Sequence, residues 1–461
     1  MTSLRWASNA VANIIGGIVN ALTTILITGM LAKSLDSQDF TIWNIGYQVI
    51  AYTTVFNLGL QTSVARLIAF NQTQGSDPLE IVLAARKIGK TSILVASAFA
   101  LVLSFLLPGV VKLSGEHSHT YLLVVSFLLG LGSSFQIGAQ AEMGLFQGLH
   151  KNFGFVYSQV ITRLAGLFWV FVSLWCDFGL IATAAIYGAS LAALWPVTYL
   201  MARRQLASPS LALQAIIESH KRELLSYSQS LTLWNLSSMV LSSAGVIYVS
   251  FLNISQTNAF ATAMTASFIV NGFIGSSLSP FLTIIANKAG AGNRDGKLGE
   301  LLLKTTMVAN VLLACFYVLF IFSGYSVLVL WLKPELADMT FALISPLLLS
   351  IFVRNMAAPY SLALLATKLH KRATRTVLLE VAFFVCTAIP LGYWLGALGV
   401  ALANIISAVC GVLSSLVFNA RQTRDLVPDY FKYLRRGFLY PALLGLTLFL
   451  GASLVKGIFV R

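Results

Sequence analysis

Apolar stretches of about 20 residues, separated by short polar turns, recur from one end of the chain to the other. That is the length a helix needs to cross the hydrocarbon core of a bilayer. Thirteen spans are predicted. The first six are Asn9–Leu31, Thr41–Arg66, Thr91–Val111, Thr120–Phe146, Gly154–Trp175 and Leu180–Met201. After a polar loop come Ser228–Phe251, Ala259–Ile284, Thr305–Gly324, Thr340–Ala366, Thr374–Trp394 and Ala397–Phe418, and a basic segment leads to Phe438–Val455. The last is the weakest pattern of the set, and it fits either a crossing or a helix in the interface. The alternating ten-residue segments of an outer-membrane barrel are absent.

Composition agrees with the pattern. The 461 residues are 57% hydrophobic and 10% charged, with a mean hydropathy of +0.82, against about 25% charged in a soluble domain. The net charge of +14 would suggest nucleic acid in a soluble protein. Here it has another source. With the N-terminus inside, 23 of the 30 Lys and Arg fall on the cytoplasmic side and 5 on the other, which fixes the N-terminus as cytoplasmic. No RNA- or DNA-binding pattern is present. Arg5 followed by the apolar run from Asn9 is read as a retained first helix, since the run is too long and too polar for a signal peptide. Cys176, Cys315, Cys386 and Cys410 lack metal-ligand spacing and fit small core residues.

The two halves match at a nearly constant offset. Lys90-Thr91-Ser92 recurs as Lys304-Thr305-Thr306, and Leu149-His150-Lys151 as Leu369-His370-Lys371. Gly179-Leu180 pairs with Gly399-Val400, and Gly59, Ser63 and Asn71 pair with Gly275, Ser279 and Asn287. The offsets are 214, 220, 220 and 216. The fold class expected is therefore an all-α polytopic membrane protein of two pseudo-symmetric six-helix bundles plus an extra C-terminal helix. The predicted parts are an N-terminal lobe (1–201), a cytoplasmic inter-lobe loop (202–227), a C-terminal lobe (228–419), and a basic segment with the thirteenth helix (420–461). Six is even, so both copies enter the membrane the same way. Parallel repeats of this kind are a transporter's architecture, with the substrate path at their interface.

Polar stripes interrupt the apolar spans and must face protein or water. The first span carries Asn9, Asn13, Asn20 and Thr24 on one face, the second Asn44, Gln48, Tyr52 and Arg66, and the fourth Ser133, Gln136, Gln140 and Gln147. Weaker stripes run through the seventh (Ser238, Ser242, Gly245) and the eighth (Thr265, Gly272, Ser276, Ser279). Small residues and amides also glue helices together in lipid. The glycines and serines fit glue; the Asn and Gln rows fit a wet cavity.

Charges within spans are costly and mark function or an internal partner. Arg163 lies mid-span with Gln159, Thr162 and Gly166 on its face, and Arg354 lies mid-span with Ser350, Ala357 and Ser361. Two readings stay open for both. Each arginine could be closed in an ion pair, with Glu142 and Glu380 as the candidate acids, or could hold an anionic group of the cargo through its planar fork. Arg66 lies nearer the cytoplasmic end and is added to the cargo-binding candidates. Glu142 and Glu380 are weak candidates for coupling to a proton or sodium gradient. No Walker, HExxH or GxSxG motif and no His/Cys cluster appears; no enzyme activity, cofactor or metal is expected. His150 and His370, each beside a lysine, fit loop anchors.

The duplicated six-helix unit, the Arg and Asn of the N-terminus, and the basic loop after each even-numbered span resemble the MOP superfamily. The stretch Gly144-Leu145-Phe146-Gln147-Gly148-Leu149-His150-Lys151-Asn152-Phe153 is similar to the Wzx-type polysaccharide flippases of that group. The family's drug antiporters typically place an acid in the first helix, where this chain has Asn13 and Asn20. Its lipid II flippases usually show fourteen spans and more cavity cations. The resemblance implies a flippase of the bacterial cytoplasmic (inner) membrane. It would carry a polyprenyl-pyrophosphate-linked oligosaccharide, an O-antigen or other surface-polysaccharide unit, to the periplasmic leaflet by alternating access. Membrane lipid, a polysaccharide polymerase and a chain-length regulator would be its partners. Arg163, Arg354 and Arg66 would hold the anionic part, and Asn13, Asn20, Gln48, Gln136 and Gln140 the sugar hydroxyls. The alternative is a cation-coupled MATE-type multidrug exporter.

Overall fold

The structure, a computed structural model, describes residues 3–71, 77–111, 113, 116–205, 214–290, 297–367 and 369–459. These residues form helices and turns, with no strand among them. Nine helices among them are long and apolar enough to cross a membrane. The chain is a multi-pass membrane protein. The other four predicted spans are helical as well.

Two compact units divide the chain, Met1–Ala261 and Thr262–Arg461. The first contains α1 (Ser3–Ser34), α2 (Ser37–Thr54), α3 (Leu60–Asn71), α4 (Pro78–Val110), α5 (Glu116–Gln136), α6 (Gln140–Gly148), α7 (Asn152–Trp175), α8 (Gly179–Arg203), α9 (Gln214–Met239) and α10 (Gly245–Leu252). In this unit α5 packs on α2, α4 and α8, α7 on α1 and α8, and α9 on α3 and α4. The unit boundary falls one turn into α11 (Thr257–Gly290). The second unit continues with α12 (Lys297–Trp331), α13 (Pro334–Met356), α14 (Ala358–Ala366), α15 (His370–Leu395), α16 (Ala397–Ser414), α17 (Tyr430–Leu434) and α18 (Tyr440–Phe459).

Several predicted spans are longer or more broken than their hydropathy indicates. The third begins at Pro78, about four turns before Thr91, because Asp77 caps it by accepting from the Leu79 amide at 2.9 Å and Pro78 suits the first helical turn. The second span is divided: Val55–Asn57 is a 3-10 turn and Leu58 and Gly59 both take positive φ, 53° and 60°. Glycine adopts this freely and leucine at a cost. A 3-10 turn at Ile137–Ala139 breaks the fourth span, and a turn at Ala357 breaks the tenth. These two breaks lie 220 residues apart, the offset of the Leu-His-Lys repeat.

Close helix approach in the first unit depends on glycine. A Cβ on Gly132 of α5 would fall against the Gly188 carbonyl, and one on Gly188 of α8 would meet the Leu128 carbonyl oxygen at 2.6 Å. Backbone cannot yield as a side-chain tip can. Gly132→Ala is therefore expected to destabilise the unit by about 1–3 kcal/mol, the usual cost of overpacking, read as a lower thermal midpoint in detergent.

The thirteenth stretch runs alongside α12 in the same direction. Thr306 Oγ1 meets Tyr433 Oη at 3.1 Å, Asn310 Nδ2 donates to the Gly437 carbonyl at 2.6 Å, and a Cβ on Gly445 would touch Ala314 at 3.0 Å. Further on, Phe322 and Phe449 approach to 6.1 Å between ring centres. The shared path from Thr306 to Phe322 is about 24 Å at 1.5 Å per residue, most of a hydrocarbon core.

Candidate functional site

The arginine that the sequence places in the fifth span sits in an aromatic cluster of the first unit. Phe155, Ser158, Thr162, Gly166, Val170 and Ser173 form the buried stripe of α7, at helical spacing. Gly166 brings α8 close, since a Cβ there would meet Ser190 Oγ at 2.6 Å. Arg163, half-buried beside this stripe, donates from Nη1 to the Tyr187 hydroxyl of α8 at 3.3 Å. Tyr187 packs edge-on against Trp43 of α2 at 5.6 Å and lies 6.1 Å from Tyr47. Trp43 and Tyr187 are buried. No carboxylate among the described residues pairs with Arg163. Its guanidinium donates to a hydroxyl, with no carboxylate among the described residues to neutralise it, an arrangement that leaves donors for an anionic partner.

Arg354 differs. At the end of α13 its Nε lies 2.6 Å from Glu380 Oε1 of α15, with both side chains largely shielded. A Cβ on Gly411 of α16 would meet Glu380 Oε2 at 2.8 Å, so three helices close around the pair. Arg354 Nη2 is buried without a hydrogen-bond partner. Of the two readings left open for the mid-span arginines, the structure shows the ion pair for Arg354.

Glu142 is paired with neither mid-span arginine. It accepts from Arg86 Nε of α4 at 2.8 Å, and the Arg86 guanidinium also sits 4.6 Å from the Tyr199 ring of α8. Glu142 is fully buried, and its Oε2 has no partner. The Arg86, Glu142 and Tyr199 side chains staple α4, α6 and α8 together. Arg86 precedes the apolar stretch that begins at Thr91, and it lies on α4 because that helix already starts at Pro78.

The polar stripes are divided between packing and exposure. Asn9 Nδ2 donates to the His150 carbonyl at 3.0 Å, Asn9 Oδ1 accepts from the Asn152 amide at 3.2 Å, and Asn152 Nδ2 donates to Asn13 Oδ1 at 3.1 Å. Half of the α1 row thus anchors the α6–α7 turn, where His150 takes a φ of 56°. Burial pushes the His150 imidazole below its ordinary value, towards the neutral form. Asn20 is exposed, and its carbonyl accepts from Thr24. Gln48 is buried and donates to the Asn44 carbonyl at 3.0 Å. Gln136 and Gln140, half-buried, flank the 3-10 turn of the fourth span, and Arg66 is exposed on α3. Gln61 of α3 and Gln147 of α6 meet at 3.2 Å. Ser238, Ser242, Ser276 and Ser279 have side chains outside the described residues.

One buried contact joins equivalent positions of the repeat. Asn44 Nδ2 donates to Asn258 Oδ1 at 3.0 Å, and these residues are 214 apart, as Lys90 and Lys304 are. Asn258 Nδ2 donates onward to the Ser37 carbonyl at 2.9 Å. Removing the Asn44 amide leaves Asn258 Oδ1 short of a donor. Asn44→Ala should cost about 1–3 kcal/mol, seen as a lower unfolding midpoint, whereas Asn44→Gln, which keeps an amide, should lose less.

No protein-family model matches the sequence, and no curated protein sequence matches it. Solved structures do. Lipid II flippase MurJ, in an inward closed conformation, aligns with a TM-score of 0.68 at 13% identity, over 99% of this chain and 100% of that one. A multidrug resistance MATE family transporter of the MOP superfamily, inward-facing, aligns at 0.66 with 12% identity, over 90% and 99%. A MOP superfamily transporter from Pyrococcus furiosus, described as having a binding pocket of reverse polarity that suggests a different function, aligns at 0.66 with 13% identity, over 96% of both chains. The chain has the fold shared by these MOP-superfamily transporters and flippases. At such identities the likeness is one of fold.

Proposed function

We propose that this chain is a Wzx-type flippase of the bacterial inner membrane, with a cytoplasmic N-terminus. It moves a polyprenyl-pyrophosphate-linked oligosaccharide, such as an O-antigen unit, from the cytoplasmic to the periplasmic leaflet by alternating access. The observation that carries this reading is Arg163, a mid-span guanidinium held by the Tyr187 hydroxyl and paired with no carboxylate among the described residues. A site of that sign attracts a pyrophosphate and repels a cationic drug. The fold supports the reading, since it serves a flippase of lipid II and a transporter with a reverse-polarity pocket. The half-buried amides of Gln136 and Gln140 are suited to sugar hydroxyls, and Arg66 to an anionic head near the cytoplasmic end. Arg354, held by Glu380, serves packing in this state and reaches cargo only if that pair opens.

The test is expression in a bacterium lacking its own O-unit flippase. Restored surface polymer without any change in resistance to cationic drugs is the expected result. Drug resistance without polymer would overturn the reading in favour of the exporter.

A further inference from the structure

The foot of the thirteenth helix forms a pocket that the transport reading does not use. The segment between α16 and α18 carries Arg421, Arg424, Lys432, Arg435 and Arg436. Within it an open pocket of about 530 Å³ is lined by Asp429, Phe431, Lys432, Leu434, Arg435 and Leu439. Lys432, Arg435, Arg436 and Leu439 follow one another at steps of three, one and three, so the cations and an apolar residue share one side of the turn. Phe431 and Leu439 are exposed, 80% and 51%. Asp429 spends one oxygen capping α17, accepting from the Lys432 amide at 2.9 Å.

The pocket is preformed. Tyr433 is buried and bonded to Thr306, and Asn310 holds the Gly437 carbonyl within a π-helical turn over Arg435–Leu439. Thus α12 fixes the segment on its inner side while the cations face outward. Directly beyond it, Tyr440, Leu443, Leu444 and Leu446 of α18 present an exposed apolar face. Cations adjoining a membrane-facing apolar helix complement an amphiphile with an anionic head. The geometry points to a binding site for an anionic phospholipid of the cytoplasmic leaflet. Its phosphate lies between Lys432 and Arg435, with its acyl chains along Leu439 and the face of α18.

The purified full chain in nanodiscs of phosphatidylglycerol or phosphatidylcholine tests this. Wild type should unfold at a higher temperature in phosphatidylglycerol and retain that lipid in native mass spectrometry. Lys432→Gln with Arg435→Gln should abolish the thermal gain, with retention falling about fivefold per cation removed. Arg421→Gln with Arg424→Gln, outside the pocket, should keep both. The single variants Lys432→Gln and Arg435→Gln carry the test should the double variant fail to fold. An equal gain in all variants overturns the site. Inorganic phosphate stabilising the detergent-solubilised protein as much as phosphatidylglycerol does would overturn the lipid assignment.

Discussion

Arg163→Ala is expected to abolish transport while the protein accumulates to its normal level. The side chain is half-buried and bonded to a single neutral hydroxyl, so its removal strands no buried acid among the described residues and should cost little stability. The loss falls on the cargo. Truncating one member of a buried, hydrogen-bonded charge pair costs about 2–5 kcal/mol, which is about 30-fold or more in affinity for a pyrophosphate. Arg163→Lys keeps the charge but loses the bidentate fork, and should retain part of the activity. Tyr187→Phe removes the hydroxyl that orients Nη1 and should fall between the two. Surface polymer measured at matched protein levels checks the series; full activity in Arg163→Ala would remove the anion-holding role.

The largest effect on stability is expected from Arg86→Ala. Glu142 is fully buried, and Arg86 supplies its ion pair. Leaving that carboxylate alone should cost about 3–5 kcal/mol. Replacing both partners by leucine should restore most of the loss, because a well-packed apolar pair avoids the desolvation of both charges. Thermal unfolding in detergent reads both variants. The same logic applied to Arg354 and Glu380 separates packing from transport. If the arginine only holds Glu380, Arg354→Ala loses stability and the double Leu variant regains transport. A double variant as stable as wild type but inactive would place Arg354 on the cargo path.

The all-helical fold was legible because lipid imposes long apolar runs that need no knowledge of tertiary contacts. The breaks were less so. Leu58 is a residue type that rarely takes a positive φ, so nothing in the sequence signals the left-handed turn it forms with Gly59. The Arg163 position was legible as a lone cation in an apolar run. Its neighbours were not, since Trp43, Tyr47 and Tyr187 look like ordinary apolar-span aromatics until α2 and α8 are brought to α7. Arg86 was hidden for a different reason. It precedes the apolar stretch of α4, and only the Asp77-Pro78 start signal shows that the helix already includes it. The Asn row of α1 pointed to water, whereas Asn9 and Asn13 hold the turn at His150 and Asn152. Periodicity shows which residues share a face, but not whether that face meets a cavity or a neighbouring loop.

The central claim is that an anionic lipid-linked sugar crosses the membrane through this chain by way of Arg163. Purified protein in proteoliposomes, loaded with a fluorescent polyprenyl-pyrophosphate oligosaccharide in both leaflets and probed with a membrane-impermeant quencher, measures it most directly. Wild type should make the inner-leaflet pool accessible to the quencher, and the Arg163→Ala variant should leave it protected. Equal protection in wild-type and empty vesicles, or equal access with wild type and Arg163→Ala, would contradict the account.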